Sequence, residues 1–191
     1  MSTVPGVLKF VVACCRASAC IFALTVALNV TTNADDWPQW GGPQRDCVWH
    51  EEGIVDRFPT DGLLPRLWSV PVAEGYSGPA VADGRVFLTD RIADGEQERL
   101  LCFDAETGKP LWKHEYYVRY SIQYPHGPRA TPVIDENRVY FIGAQGDMFC
   151  MNVKDGSIIW QKSFEKDFGT EMPIWGMAAS PLVDGEKLII Q

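Results

Sequence analysis

A strand–turn–strand unit that occurs twice is the feature that most narrows what this chain can fold into. From Arg99 to Lys113 the sequence reads RLLCFDAETGKPLWK. An apolar run, Leu100 to Phe103, ends at Asp104; Glu106, Thr107, Gly108 and Lys109 turn the chain; a second strand carries Leu111 and Trp112. A weaker copy follows, with Met148 to Asn152, a turn through Lys154, Asp155, Gly156 and Ser157, and then Ile158, Ile159 and Trp160. Trp68, Trp112 and Trp160 stand 44 and 48 residues apart. A repeat of that length made of strands points to a propeller or a similar array of like sheets.

Ahead of each unit lies a shorter hairpin. Pro79 to Ala82 and Arg85 to Asp90 flank Asp83-Gly84, and an Asp-Gly pair between such runs signals a tight hairpin because primed turns require positive φ. Ile92 to Glu98 reads as a polar loop leading to the unit. The order returns with Pro132 to Ile134, a turn through Asp135, Glu136 and Asn137, and Arg138 to Ala144. A third copy starts at Ser180, turns at Asp184-Gly185 and reaches Ile189, Ile190 and Gln191. Pro65 to Val70, ending like the tryptophan strands, reads as a single strand ahead of the first unit. The expected fold is therefore all-β: a β-propeller of four-stranded antiparallel blades, incomplete, with two full blades and partial ones on either side. Propellers close with four to eight blades, so the reading is of a piece of a longer ring over residues 65–191. A sealed barrel would contradict it.

Residues 1–34 have a different character. Lys9 and Arg16 are their only charges, Ala17 to Val30 is mostly apolar, and Thr32-Asn33-Ala34 precedes Asp35-Asp36. That is the layout of a secretory signal peptide cleaved near Ala34, with periplasmic or secreted localisation and no transmembrane span afterwards. A retained N-terminal anchor is the alternative, and Cys20 raises a lipidated N-terminus, though Ala17-Ser18-Ala19 lacks the usual large aliphatic residue. Removing this segment leaves 15 basic against 25 acidic residues. Such a balance argues against nucleic acid, whose phosphates demand clustered Lys and Arg. Cys47, Cys102 and Cys150 also remain. Cys102 and Cys150 occupy equivalent repeat positions, where a free cysteine packs as a small hydrophobe.

Residues 35–64 open with Trp37-Pro38-Gln39-Trp40-Gly41-Gly42-Pro43, which cannot run as a helix because proline lacks the N–H and clashes with the preceding turn. They read as an irregular N-terminal arm lying against the strands; a sugar-binding aromatic platform is the sharper alternative.

The connectors from each tryptophan strand to the next hairpin carry the candidate binding residues. Val70 to Gly78 brings Glu74 and Tyr76. Lys113 to Ala130 brings Tyr116, Tyr117, Arg119, Tyr120, Tyr124, His126 and Arg129, and Gln161 to Ala179 brings Glu171, Trp175 and Met177. Aromatic and charged side chains on loops above a rigid scaffold are the material of binding sites. Tyr76, His126, Arg129, Glu171 and Trp175 are the ligand-binding candidates, Arg129 suiting an anion or a carboxylate such as Glu171. Long aromatic loops that simply bury themselves are the competing reading. No nucleophile, base and orienting carboxylate can be matched, so no catalytic residue is assigned. No metal-ligand spacing is present either.

The pattern Cys102-x-Asp104-x-x-Thr107-Gly108-Lys109-x-x-Trp112 resembles the AxDxxTGKxxW tryptophan-docking repeat of pyrroloquinoline-quinone-like (PQQ-like) β-propellers. Cys102 replaces the alanine. The second copy keeps Gly156 and Trp160 but has Asn152 for the aspartate and Ser157 for the lysine. The resemblance implies a structural role for Asp104, Thr107, Gly108, Trp112, Gly156 and Trp160, each tryptophan wedging between blades. The WPQWGGP opening is similar to the arm of exported members, where arginine often stands at Gly41 and glycine at Cys47. The resemblance implies a binding or scaffold module similar to the outer-membrane assembly factor BamB, contacting an exported or envelope protein or a small ligand at the channel mouth, with no cofactor. Its alternative is part of a quinoprotein alcohol dehydrogenase holding PQQ and Ca²⁺. That family's adjacent cysteines have a counterpart only in Cys14-Cys15, inside the leader.

Overall fold

A computed structural model of the chain describes residues 35–52, 56–60, 62, 64–92, 94, 96–122 and 126–191. The expected signal peptide and Tyr124 lie outside them. Ala34–Gln191 form one compact unit. Strands β1 (Ala80–Ala82), β2 (Arg85–Ile92), β3 (Gln97–Asp104) and β4 (Pro110–Tyr117) form an antiparallel sheet in sequential order. Strands β5 (Val133–Asp135), β6 (Arg138–Ile142), β7 (Asp147–Asn152) and β8 (Ile158–Ser163) repeat it. A short helix α1 (Phe164–Phe168) follows, then the two-stranded sheet β9 (Leu182–Asp184) and β10 (Lys187–Ile189). The described residues are thus all-β apart from α1, in separate sheets rather than a sealed barrel.

The hairpin chemistry is as the sequence dictates in the first unit: Asp83 (φ 49°) and Gly84 (φ 67°) both take the left-handed region between paired Ala82 and Arg85. In the third unit Asp184 pairs with Lys187, so the turn is Gly185-Glu186, one residue later than expected. Both four-stranded sheets carry the same irregularity. Cys102 faces Trp112 while Phe103 faces Pro110, and Cys150 faces Trp160 while Met151 faces Ile158. Leu111 and Ile159 are therefore extra residues, β-bulges that bend the outer strand just before its tryptophan.

The turns that follow β3 and β7 are held from within. Asp104 Oδ1 accepts from Thr107 N (2.8 Å) and Thr107 Oγ1 (2.6 Å). In the second copy Asn152 Oδ1 accepts from Lys154 N, and Asp155 Oδ1 accepts from Ser157 N and Oγ. Asp155, standing where the first copy has Thr107, takes over the bond to the residue two positions on. The turn glycines then meet a tryptophan from the preceding segment. A β-carbon on Gly108 would lie 2.7 Å from the Trp68 ring, and one on Gly156 would lie 2.6 Å from the Trp112 ring. Each indole donates across the same junction, Trp68 Nε1 to Ala105 O and Trp112 Nε1 to Val153 O, both at 2.9 Å.

The core lies between the sheets. Phe87, Leu100 and Cys102 of the first sheet pack with Val139, Phe141, Phe149 and Met151 of the second, with Trp112 and Tyr116 against them. On its other side the second sheet packs Tyr140, Ile142, Met148 and Cys150 with Met177, Val183 and Leu188. Burial on both faces explains why Val139–Ile142 and Met148–Met151 are continuous apolar runs rather than alternating ones.

Several expectations need correction. Pro65 to Val70 is not a strand; among the described residues it has no sheet neighbour to supply a ladder, while its Trp68 packs on Gly108 and donates to Ala105 O. The polar loop ends earlier than Glu98, which lies inside β3, and β4 continues to Tyr117, so Tyr116 and Tyr117 belong to a strand rather than to the connector. α1 was not foreseen. It is started by Ser163, whose hydroxyl accepts from Lys166 N, and stopped by Gly169 in the left-handed conformation. The arm does lie against the strands. Trp37 and Val81 exchange backbone bonds (2.8 and 2.9 Å), Ile134 N donates to Pro38 O (2.8 Å), and Arg45 Nη1 donates to Pro181 O (3.0 Å). It thereby pairs edge groups of β1 and β5 that would otherwise be open. Cys47 has φ 59°, the conformation that favours glycine.

Candidate functional site

The first two connectors converge through backbone bonds. Tyr76 N donates to Pro128 O (2.8 Å), and Glu74 and Arg91 exchange bonds (2.7 and 3.3 Å). The Arg129 guanidinium lies over the Tyr76 ring, 5.2 Å from its centroid, and its Nη1 donates to Gly127 O (2.8 Å). The His126 ring sits 6.0 Å from that of Tyr120. Three of the five ligand-binding candidates, Tyr76, His126 and Arg129, therefore belong to one neighbourhood. Glu171 and Trp175 are exposed on the segment after α1.

Arg129 also lines a cleft of ≈ 470 Å³ whose other walls come from Trp40 and Arg45 of the arm, Ser180, and Leu182 and Ile189 of β9 and β10. Arg45 is held by Pro181 O and stacks toward Trp40, 5.8 Å from its ring centroid. Glu171 and Trp175 are not among the residues lining this cleft. Arg45 was missed; the arm's tryptophans were read as packing against the strands, with a sugar-binding aromatic platform as the alternative.

Behind this region is a buried carboxylate that sequence reasoning passed over. Glu98 is fully buried. Its register neighbours are Arg91 on β2 and Tyr116 on β4. Tyr116 Oη donates to Glu98 Oε2 (2.5 Å), Tyr120 Oη donates to Oε1 (2.6 Å), and Ala144 N, in the turn between β6 and β7, donates at 3.2 Å. Tyr120 Oη in turn accepts from Gly127 N (3.0 Å), and the Arg91 guanidinium lies 4.2 Å from the centroid of its ring. Burial pushes the Glu98 carboxyl above the ordinary glutamate range, opposed by the hydrogen bonds from Tyr116, Tyr120 and Ala144. Burial, with the adjacent carboxylate, drives the Tyr116 and Tyr120 hydroxyls up as well. Gly143 makes room for the cluster: a β-carbon there would lie 1.8 Å from Tyr116 Oη. A second buried acid, Asp90, is closed by Arg99, which donates through Nε (2.7 Å) and Nη2 (2.5 Å), and by Ala73 N (2.7 Å).

The arrangement offers contact chemistry. The buried acids are engaged by fixed donors, while the cleft exposes guanidinium, indole, hydroxyl and aliphatic groups. Cys102 and Cys150 are buried, and the Cys102 thiol is pushed up to about 12 by burial. No group of three or more His, Cys, Asp or Glu side chains among the described residues could hold a metal ion. No helix among them is long and apolar enough to cross a membrane.

A family model described as outer membrane protein assembly factor BamB, of PQQ-like repeats, matches residues 60–191. No curated protein matches the chain. Among solved structures it is similar to the quinohemoprotein alcohol dehydrogenase of Comamonas testosteroni, at 15% identity and TM-score 0.47 over 62% of this chain and 17% of that one. It is also similar to BamB from Moraxella catarrhalis, at 17% identity and TM-score 0.41 over 58% of this chain and 32% of that one. A europium-containing methanol dehydrogenase aligns at 21% identity and TM-score 0.39 over 51% of this chain and 19% of that one. The chain spans no more than 32% of the length of any of these three. With most of its length matched by the family model, and with two like four-stranded sheets to carry the repeat, the chain belongs to the BamB-like family of PQQ-repeat β-propeller proteins.

Proposed function

We propose that this chain is an exported binding or scaffold module, BamB-like, with its contact surface on the connector side and no catalytic step of its own. Its sheets act as propeller blades docked by tryptophans. Trp68 on Gly108 and Trp112 on Gly156, each with an indole N–H bonded across the junction, support that reading. The leader at residues 1–34 delivers it to the periplasm or beyond. The observation that carries the module reading is the division of labour among polar groups. Glu98 and Asp90 are consumed in closed internal networks, whereas Arg129, Trp40 and Arg45 line an open cleft and Tyr76 lies under the Arg129 guanidinium. That is a surface for recognition.

The test is to export the protein, sequence its mature N-terminus and assay it with PQQ, Ca²⁺ and a primary alcohol. A mature start near Asp35 and no alcohol-dependent dye reduction are expected. Dye reduction that requires both PQQ and alcohol would overturn the module reading; recovery of uncleaved protein in the cytoplasm would overturn export.

A further inference from the structure

We infer that the cleft at the seam between the two four-stranded sheets binds a neutral saccharide, stacked on the rings of His114 and Tyr116 and hydrogen-bonded by Asp147, Gln161 and Lys166. It lies apart from the cleft walled by Trp40, Arg45 and Arg129, and goes beyond the module reading without depending on it. Its volume is ≈ 490 Å³, in the range of small-molecule sites. All of its lining residues fall between His114 and Asp167, on β4, β7, β8 and α1. The strand registers explain why these side chains meet. Asp147 is paired with Ser163 and Phe149 with Gln161, so the four share the face of the second sheet that Phe149 packs against the first. Across the seam, His114 and Tyr116 are alternate residues of β4 and share the opposing face.

The rings form a wall already in place. His114 and Tyr116 are nearly parallel (20°, centroids 6.1 Å apart), and the Phe149 ring lies 4.9 and 4.8 Å from them. The Tyr116 hydroxyl is committed to Glu98, which anchors the ring while leaving part of it exposed. The C–H face of a sugar ring gains by covering such surface, and little side-chain ordering is left to impose. Charge then selects the ligand. Lys162 and Lys166 are balanced by Asp147 and Asp167. Lys162 Nζ lies 3.8 Å from Asp167 Oδ1, Asp167 Oδ2 accepts from Ser163 N (2.7 Å), and Lys166 acts on Asp147. Burial holds His114 below the ordinary histidine range, so it adds no charge near neutral pH. An ion of either sign therefore meets as much repulsion as attraction. Sugar hydroxyls, each both donor and acceptor, suit a rim that offers both, and the Gln161 amide offers both by itself. His114 Nε2 is shut off from solvent and has no hydrogen-bond partner among the described residues. Turning the ring toward the cleft gives that nitrogen a ligand hydroxyl and relieves a cost the protein otherwise carries.

The experiment follows the ring-proton NMR signals of His114, Tyr116 and Phe149 while maltose, cellobiose or N,N′-diacetylchitobiose is added. Glucuronate, glucosamine and alanine serve as anionic, cationic and zwitterionic controls. At least one disaccharide should shift all three rings with a dissociation constant of about 1 mM, each control binding at least about tenfold more weakly. Gln161→Ala and Lys166→Ala, both at exposed positions, should each cost about tenfold in affinity without changing urea unfolding. The inference is overturned if no disaccharide shifts these rings below about 50 mM, if a control binds as tightly as the best disaccharide, or if Gln161→Ala binds like the parent. Alcohol-dependent dye reduction would sink the module reading but leave this binding result standing, so the two failures are distinguishable.

Discussion

Glu98 is the residue whose setting has the sharpest energetic consequence. Its carboxylate joins two repeats, because Tyr116 of β4 and Tyr120 of the connector after it reach it from the first and Ala144 N, in the β6–β7 turn, from the second. Glu98→Ala would strand two hydroxyls and an amide, and should destabilise the fold by about 1–3 kcal/mol. Glu98→Gln keeps a carbonyl acceptor, and the tyrosine hydroxyls can turn to accept from its amide. Burial raises the folded-state pKa above the unfolded one, so folding favours the protonated form. Glu98's own contribution is then greatest below the unfolded pKa and is lost as pH rises through the folded one. Asp147 is close enough to add to that rise, and Arg91, the cross-strand neighbour of Glu98, lies over the Tyr120 ring. The stability of Glu98→Gln relative to the parent should therefore improve as pH rises from the unfolded glutamate pKa of about 4. Urea unfolding of both proteins at each pH checks this; a constant difference would show that Glu98 titrates in the fold as it does in the unfolded chain.

At the scale of elements, the glycine beneath each tryptophan is a steric requirement as well as a conformational one. Gly108 and Gly156 both have φ 69°, and a β-carbon on either would enter an indole ring. Gly84, at φ 67°, has nothing within 4 Å of the same position. Gly84→Ala should thus cost about 1 kcal/mol from backbone strain alone. Gly156→Ala should cost several times that, with a change in near-ultraviolet dichroism as Trp112 is displaced; equal losses in the two variants would refute the docking role. This part of the fold was legible because Thr107-Gly108 and Asp155-Gly156 announce their turns in short-range chemistry. The bulges at Leu111 and Ile159 were not, since a bulge is a mismatch between two strands and neither strand shows it alone. Glu98 was misread for a related reason: a charged residue near a polar stretch reads as loop until its partners Tyr116, Tyr120 and Ala144 are brought in by tertiary packing. The candidate site was legible in Tyr76, His126 and Arg129, which share two converging connectors. It was not legible in Trp40 and Arg45, whose approach depends on where the arm crosses the edges of β1 and β5.

For the molecule as a whole, the second sheet is the part every other part leans on. Its β6 and β7 strands have neighbours on both sides and apolar partners above and below, through the core shared with the first sheet and the cluster beneath β9 and β10. The β9–β10 sheet has two strands, none of its residues is fully buried, and it covers only one face. In arrays of like units each unit draws stability from its neighbours, so opening free energies should fall from the doubly covered sheet outward. Amide exchange should be slowest at Val139–Ile142 and Met148–Met151, and faster by about a hundredfold or more at Leu182–Asp184 and Lys187–Ile189. The first sheet should fall between them, because its β3 is buried at Leu100–Phe103 while β4 leaves alternate residues exposed. Hydrogen–deuterium exchange resolved by peptide decides the order. Equal protection of β9–β10 and β6–β7 would mean that the chain opens only as one block, and that its stability is not assembled sheet by sheet.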